Sequence, residues 1–273
     1  MKRILFVGAG KEFPGGAFQF LQSLPDEREI SVTGLFFCTI DYEAFNTVSQ
    51  IPISAPYVRL RERELEELQG NKAVFARKCS DCRLKFNVHA NEETWDSHLF
   101  ARESRFSDLV VLSAEQFYGE VDPSQPNLFL REALHAAECP VMIIPENYSA
   151  PEHLVIAYDG GRDSLHAIKQ FTYLFPQYTD LPTEIIYVKE DNSTDMPDHE
   201  LLRNFSRLHF SSLNFSRLHF KAARYFAAWI GEKKNVLMVS GSFGRSPFSY
   251  ITRESFSKQI VRDHRMPVFI AHT

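Results

Sequence analysis

The residues best suited to chemistry in this chain are glycines and hydroxyls placed to hold an anion. The apolar run Asn235-Val-Leu-Met-Val-Ser240 reads as a buried strand that ends in Gly241-Ser-Phe-Gly244, and a helical segment opens at Ser255. Glycine lets backbone N–H groups turn toward a ligand with no Cβ in the way. A helix start adds unpaired N–H groups and the positive end of the dipole. Arg245 supplies a cation directly after the second glycine. The same strand–glycine turn–helix arrangement also serves packing alone. A second turn, Asp159-Gly160-Gly161, sits between an apolar run and a helical pattern, and its Asp is of the helix-capping type.

Other constellations are weaker. Cys79-Ser-Asp-Cys82 with His89 and His98 has the residue types of a zinc site. The two cysteines would end a helix at one end of the sheet, however. His89 would stand at the far end of the next strand, roughly 20 Å away at about 3.3 Å per residue. The cysteines read better as core residues sharing a helix face with Phe75. No Ser/His/Asp or paired-carboxylate set falls together, so neither a catalytic residue nor a metal ligand is assigned.

Composition narrows the class. The chain has 273 residues, 44% hydrophobic and 24% charged, with a formal net charge of -5. A net acidic balance argues against a nucleic-acid surface, and four cysteines do not make a disulfide framework. The apolar runs are too short to span a bilayer, and Lys2-Arg3-Ile-Leu-Phe-Val reads as a first strand rather than a leader. A cytoplasmic protein with no membrane partner is the expectation.

Strand and helix patterns alternate along the chain. Strands are predicted at 3–8, 30–38, 84–89, 108–113 and 140–145, with helices at 14–24, 58–82 (broken near Gly70), 94–106 and 124–137. After a linker at 147–151 the pattern restarts. Strands fall at 154–158, 184–188, 213–220, 235–240 and 267–271, and helices at 163–175, 199–208, 222–230 and 256–263. Leu109-Val-Val-Leu-Ser113 overlays Val236-Leu-Met-Val-Ser240, and in both halves the next Pro-opened strand begins 27 residues later. This predicts two tandem α/β units, 1–148 and 149–273. They should meet through 141–144 and 268–271, which are otherwise exposed apolar edges. The heptad Asn204-Phe-Ser-Arg-Leu-His-Phe210 recurs as 214–220. Its first copy is predicted helical and its second extended.

Val155-Ile-Ala-Tyr-Asp159-Gly160-Gly161-Arg-Asp-Ser164 resembles the opening strand, turn and helix of universal stress protein (UspA-like) domains. Cys139-Pro-Val-Met-Ile-Ile144 and Met266-Pro-Val-Phe-Ile-Ala271 resemble their closing strand. The resemblance covers both halves. It implies two flavodoxin-like, or adenine-nucleotide α-hydrolase-like, units. Each would be a five-stranded parallel sheet of order 3-2-1-4-5 with helices on both faces. It also implies pairing of the units through their fifth strands as an intramolecular pseudo-dimer, leaves room for a homodimer, and in some members implies ATP, with Mg only alongside the nucleotide.

Nucleotide-binding members carry G-x2-G-x9-G-[ST] after strand four. Gly241, Gly244 and Ser255 match it, whereas Glu254 stands at the third glycine. That carboxylate puts like charge beside a polyanion, a cost of about 1 kcal/mol in water, which Arg245 offsets in part. The resemblance places Asp159, with Gly160 and Val188, near the ribose and adenine. The first half carries Ala114, Phe117, Asn127 and Leu128 at the loop positions and Ala9 in place of the Asp. Three readings follow: a non-enzymatic stress-response protein that binds adenine nucleotide in its second half, a nucleotide-free interaction scaffold, and an ATP-cleaving enzyme. The last rests on Asp159-Gly-Gly-Arg-Asp-Ser164, one residue from the S-G-G-x-D-S loop of N-type ATP pyrophosphatases.

Overall fold

The structure, a computed structural model, describes residues 2–9, 12–24, 29–38, 55–114, 128–189, 196–219, 233–241 and 266–273. The strands are β1 (Lys2–Ala9), β2 (Ile30–Cys38), β3 (Lys85–Thr94), β4 (Leu109–Ser113), β5 (Val141–Ile144), β6 (His153–Tyr158), β7 (Thr183–Lys189), β8 (Leu213–His219), β9 (Val236–Ser240) and β10 (Val268–Ile270). The helices are α1 (Gly15–Ser23), α2 (Ala55–Asp81), α3 (Ser97–Arg105), α4 (Leu128–Ala136), α5 (Arg162–Leu174) and α6 (His199–Arg207).

The strand runs are apolar on both faces, and in the first half helices cover both. All of Leu109–Ser113, Val141–Ile144 and Val236–Ser240 is buried, as parallel strands between helix layers require. The strands form one sheet in the order β3-β2-β1-β4-β5-β10-β9-β6-β7-β8. Read inward from either end, each half has the order 3-2-1-4-5. Neighbours are parallel except at the centre, where Val268 pairs with Ile143, Phe269 with Met142 and Ile270 with Val141 in antiparallel register. The predicted apolar edges therefore cover each other. The prolines that precede them, Pro140 and Pro267, still accept through their carbonyls, from Val110 and Met238.

One face of the sheet carries α1, α2, α5 and α6 over a cluster that runs across both halves. Phe6 stacks on Phe75 with ring centroids 5.2 Å apart. Phe20 meets Phe175, which meets Phe269, so aromatic contact crosses from the first half to the second. The other face of the first half packs on α3 and α4 around Phe100, Leu130 and Ala133.

The helix over 55–81 is continuous, against the predicted break at Gly70. A Cβ there would meet nothing within 4 Å, so the glycine marks an open surface and not a kink. Leu68, Phe75 and Cys79 form its buried stripe at helical spacing. Burial pushes the Cys79 thiol up to about 12, which leaves it unreactive. Cys82, just past the helix end, accepts from Gln22 Nε2 at 3.0 Å. His89 pairs instead with Glu103, Nδ1 to Oε1, at 3.4 Å.

The duplicated heptad splits as predicted. Its first copy starts in α6, which ends at Arg207, with Ser206 inward, and its second lies in β8 as far as His219, laddered to β7, with residue 220 outside the described residues. Identical residues take opposite structures because one copy has a core to cover and the other has a strand to pair. The predicted helices at 222–230 and 256–263 lie outside the described residues.

Candidate functional site

β6 and β9 are neighbours, and their crossovers leave in opposite directions. Between their carboxyl ends lies the switch point where ligands of open parallel sheets collect. Asp159 follows β6, and Gly241 follows β9.

Asp159 makes a tight turn. Its Oδ1 accepts the Gly161 N–H at 2.8 Å, and Gly161 is the N-cap residue of α5. Gly160 holds φ at +82°, in the region that favours glycine, and a Cβ on it would lie 2.8 Å from Pro197 Cγ. Inside the first turn of α5, buried Ser164 donates from Oγ to the Gly161 carbonyl at 2.9 Å. Asp163 accepts from Thr273, from its N–H at 3.2 Å and its hydroxyl at 2.7 Å. Those bonds hold the Asp163 carboxyl below its ordinary value, with burial opposing.

Gly241 is pressed against that same turn. A Cβ on it would stand 2.2 Å from Ser164 N and 2.3 Å from Asp163 C. Only glycine lets β9 end so close to α5, so packing alone already requires it. Val188 lies in β7. Tyr158 pairs with Tyr187, so Val188 comes level with Asp159. The structure thus brings Asp159, Gly160, Val188 and Gly241 to one end of the sheet. Gly244, Arg245, Glu254 and Ser255 lie outside the described residues.

Sequence reasoning missed two groups here. Tyr158, which ends β6, and Tyr187, two residues before the end of β7, are buried side by side near this rim, and burial raises both phenol pKa values. The nearby Asp198 and Asp159 raise Tyr158 further, whereas Arg217 opposes the rise at Tyr187. The readable signal was a polar-tipped aromatic near the end of each of two apolar runs. Pro197 and Asp198, with Asp198 at φ 49°, bring the chain back over Gly160, and no sequence pattern marked them.

The overlay of the halves needs a one-residue correction. Ser113 pairs with Ile144. In the second half Ile270 pairs with Ser240, so Gly241 comes level with Ala271. Ile144 and Ala271 are equivalent in the closing strands, so Ser113, and not Ala114, holds the place of Gly241. Burial decides this. Val111 with Met142, and Val239 with Phe269, lie in the same cluster, and a one-residue slip would turn each strand inside out. The same register keeps Ala9 in the place of Asp159.

Among the described residues no three His, Cys, Asp or Glu side chains gather to hold a metal ion, and no helix is long and apolar enough to cross a membrane.

Neither family models nor curated proteins match this sequence. Solved structures do. A universal stress protein from Archaeoglobus fulgidus DSM 4304 superposes with a TM-score of 0.65 at 15% identity, covering 99% of this chain and 96% of its own. A protein provisionally assigned to the universal stress proteins, from Pseudomonas aeruginosa UCBPP-PA14, gives 0.53 at 15%, covering 99% and 93%. A universal stress protein family protein from Arabidopsis thaliana with AMP bound covers 54% of this chain and 93% of its own at 16% identity, and its TM-score of 0.37 is too low to carry its ligand over. Over nearly its whole length, this chain has the fold of the universal stress proteins.

Proposed function

We propose that the chain is a tandem universal stress protein, with units 1–148 and 149–273 paired through β5 and β10. In this reading it binds one adenine nucleotide in its second half and acts without turnover, in the cytoplasm. The observation that carries the proposal is the meeting of two turns at the switch point. The Asp159-Gly160-Gly161 turn and the Gly241 strand end both abut the start of α5. A helix start beside a glycine turn is a place for phosphate, and an acid beside the first two strands suits a ribose. ATP, with Mg only alongside it, is the ligand this arrangement fits. Gly244, Arg245 and Ser255 complete the loop on their sequence positions alone. Asp159 in place of the pyrophosphatase Ser disfavours an ATP-cleaving enzyme, since it brings negative charge to the phosphates.

One observation favours the scaffold reading. Both Asp159 and Gly241 already have structural work, one closing a turn and the other allowing close packing. Mass spectrometry of ligands released from the native protein separates the two readings. One adenine nucleotide per chain supports the proposal. An empty protein that also fails to retain added ATP replaces it with the scaffold.

A further inference from the structure

Helix α6 buries one face and leaves an apolar stripe on the other. Leu202 and Ser206 are buried, whereas Leu201 is 70% exposed and Leu208 83%. Half-buried Phe205 stands between the two leucines, so the three follow at spacings of four and three, along one side of a helix. Leu208 closes the helix with φ -76° and ψ -19°, so the helical spacing holds through it.

Charge is laid out along the same face. Glu200 lies in the first turn and Arg207 in the last, and both are exposed. Among the described residues neither has an ion pair or a hydrogen bond. Arg203, by contrast, is engaged by His199 at 3.4 Å and by the Phe215 ring. Exposed Asn204 stands midway along the stripe. Glu200 to Arg207 and Leu201 to Leu208 are the same step, about two turns or roughly 10.5 Å. An acid and a leucine at the start of the helix therefore match a base and a leucine at its end.

We propose that this face binds a second copy of the chain, with the two α6 helices antiparallel about a two-fold axis beside Asn204. Each Leu201 then covers Leu208 of the other copy. A two-fold axis sets like flank against like flank, so each Glu200 meets Arg207 of the other copy and both pairs close together. The start of one helix also lies beside the end of the other, which suits their dipoles. A parallel copy would set Glu200 on Glu200 and Arg207 on Arg207. The face is thus complementary to itself, which selects a second copy over an unrelated partner. One short helix covers less than a standard interface, so the dimer is weak.

The test is sedimentation equilibrium of the full chain up to about 1 mM. The wild type is expected to dimerise with a dissociation constant on the order of 100 µM. Leu208→Ser, at an exposed position, should weaken the dimer at least about tenfold. Glu200→Arg and Arg207→Glu should each weaken it about tenfold, since each sets two like pairs in place of two opposite ones. Mixed in equal amounts, these two variants should regain the wild-type affinity as a heterodimer, because one chain then presents bases at both ends of α6 and the other presents acids. A chain that stays monomeric at about 1 mM, a dimer indifferent to Leu208→Ser, or a mixture that associates no better than its components would each overturn the proposal.

Discussion

The helices that follow the first strand of each half, α1 and α5, begin against segments of different character. In the second half, α5 begins against Gly241, and the chain after β10 approaches as a donor: Thr273 gives its N–H and hydroxyl to Asp163. In the first half, α1 begins against the chain after β5, which brings oxygens close to its first turn. A Cβ on Gly16 would lie 2.2 Å from the Pro145 carbonyl oxygen, and one on Gly15 would lie 2.5 Å from Glu146 Oε1. Two of the protein's own oxygens thus lie close beside the first turn of α1, where they disfavour a further anion. With Ser113 in the place of Gly241 and Ala9 in the place of Asp159, the described residues of the first half do not repeat the pair of turns found in the second.

The comparison breaks most readily at Gly241. Gly241→Val should cost about 3 kcal/mol of unfolding free energy, because the strand end cannot retreat from the α5 backbone. Ser113→Gly at the matching position should cost under about 1 kcal/mol. Urea denaturation of the two variants measures the difference, and equal losses would mean that the two strand ends are packed alike. Gly160→Ala should cost about 1–2 kcal/mol, since alanine must take a positive φ and press on Pro197. The same denaturation series reads it. Asp159→Ala removes the acceptor for the Gly161 N–H and should cost about 1 kcal/mol. If it also weakens ATP binding while Gly160→Ala does not, the carboxylate meets the ligand as well as the turn.

The smallest effect is pH-dependent. Asp163 has its folded pKa held below the ordinary 3.8. Its bonds to Thr273 therefore stabilise the fold fully above that value and are lost as pH falls through the folded pKa. Stability measured between about pH 5 and pH 2 should fall more steeply for the wild type than for Asp163→Asn. Parallel acid limbs would mean that the Thr273 contacts add nothing.

Much of this was legible in the residues. Apolar runs of strand length alternating with helical patterns gave the order of elements, and even the duplicated heptad divided correctly between α6 and β8. Two things were not legible. The overlay of the halves slipped by one residue, because Leu109–Ser113 and Val236–Ser240 are apolar throughout and carry no alternation to fix the register. The packing at Gly241 was not legible either, because sequence shows what a glycine allows and not what lies beside it. Here it is the α5 backbone.

The claim that only the second half binds nucleotide is tested most directly by calorimetric titration of ATP into the wild type, Gly244→Val and Glu254→Gly. The account predicts one site per chain in the wild type and loss of binding in Gly244→Val. In Glu254→Gly, where a carboxylate leaves the third glycine position, it predicts a gain of about 1–2 kcal/mol, roughly tenfold in dissociation constant. Two sites per chain, or an affinity unchanged across all three proteins, would contradict it.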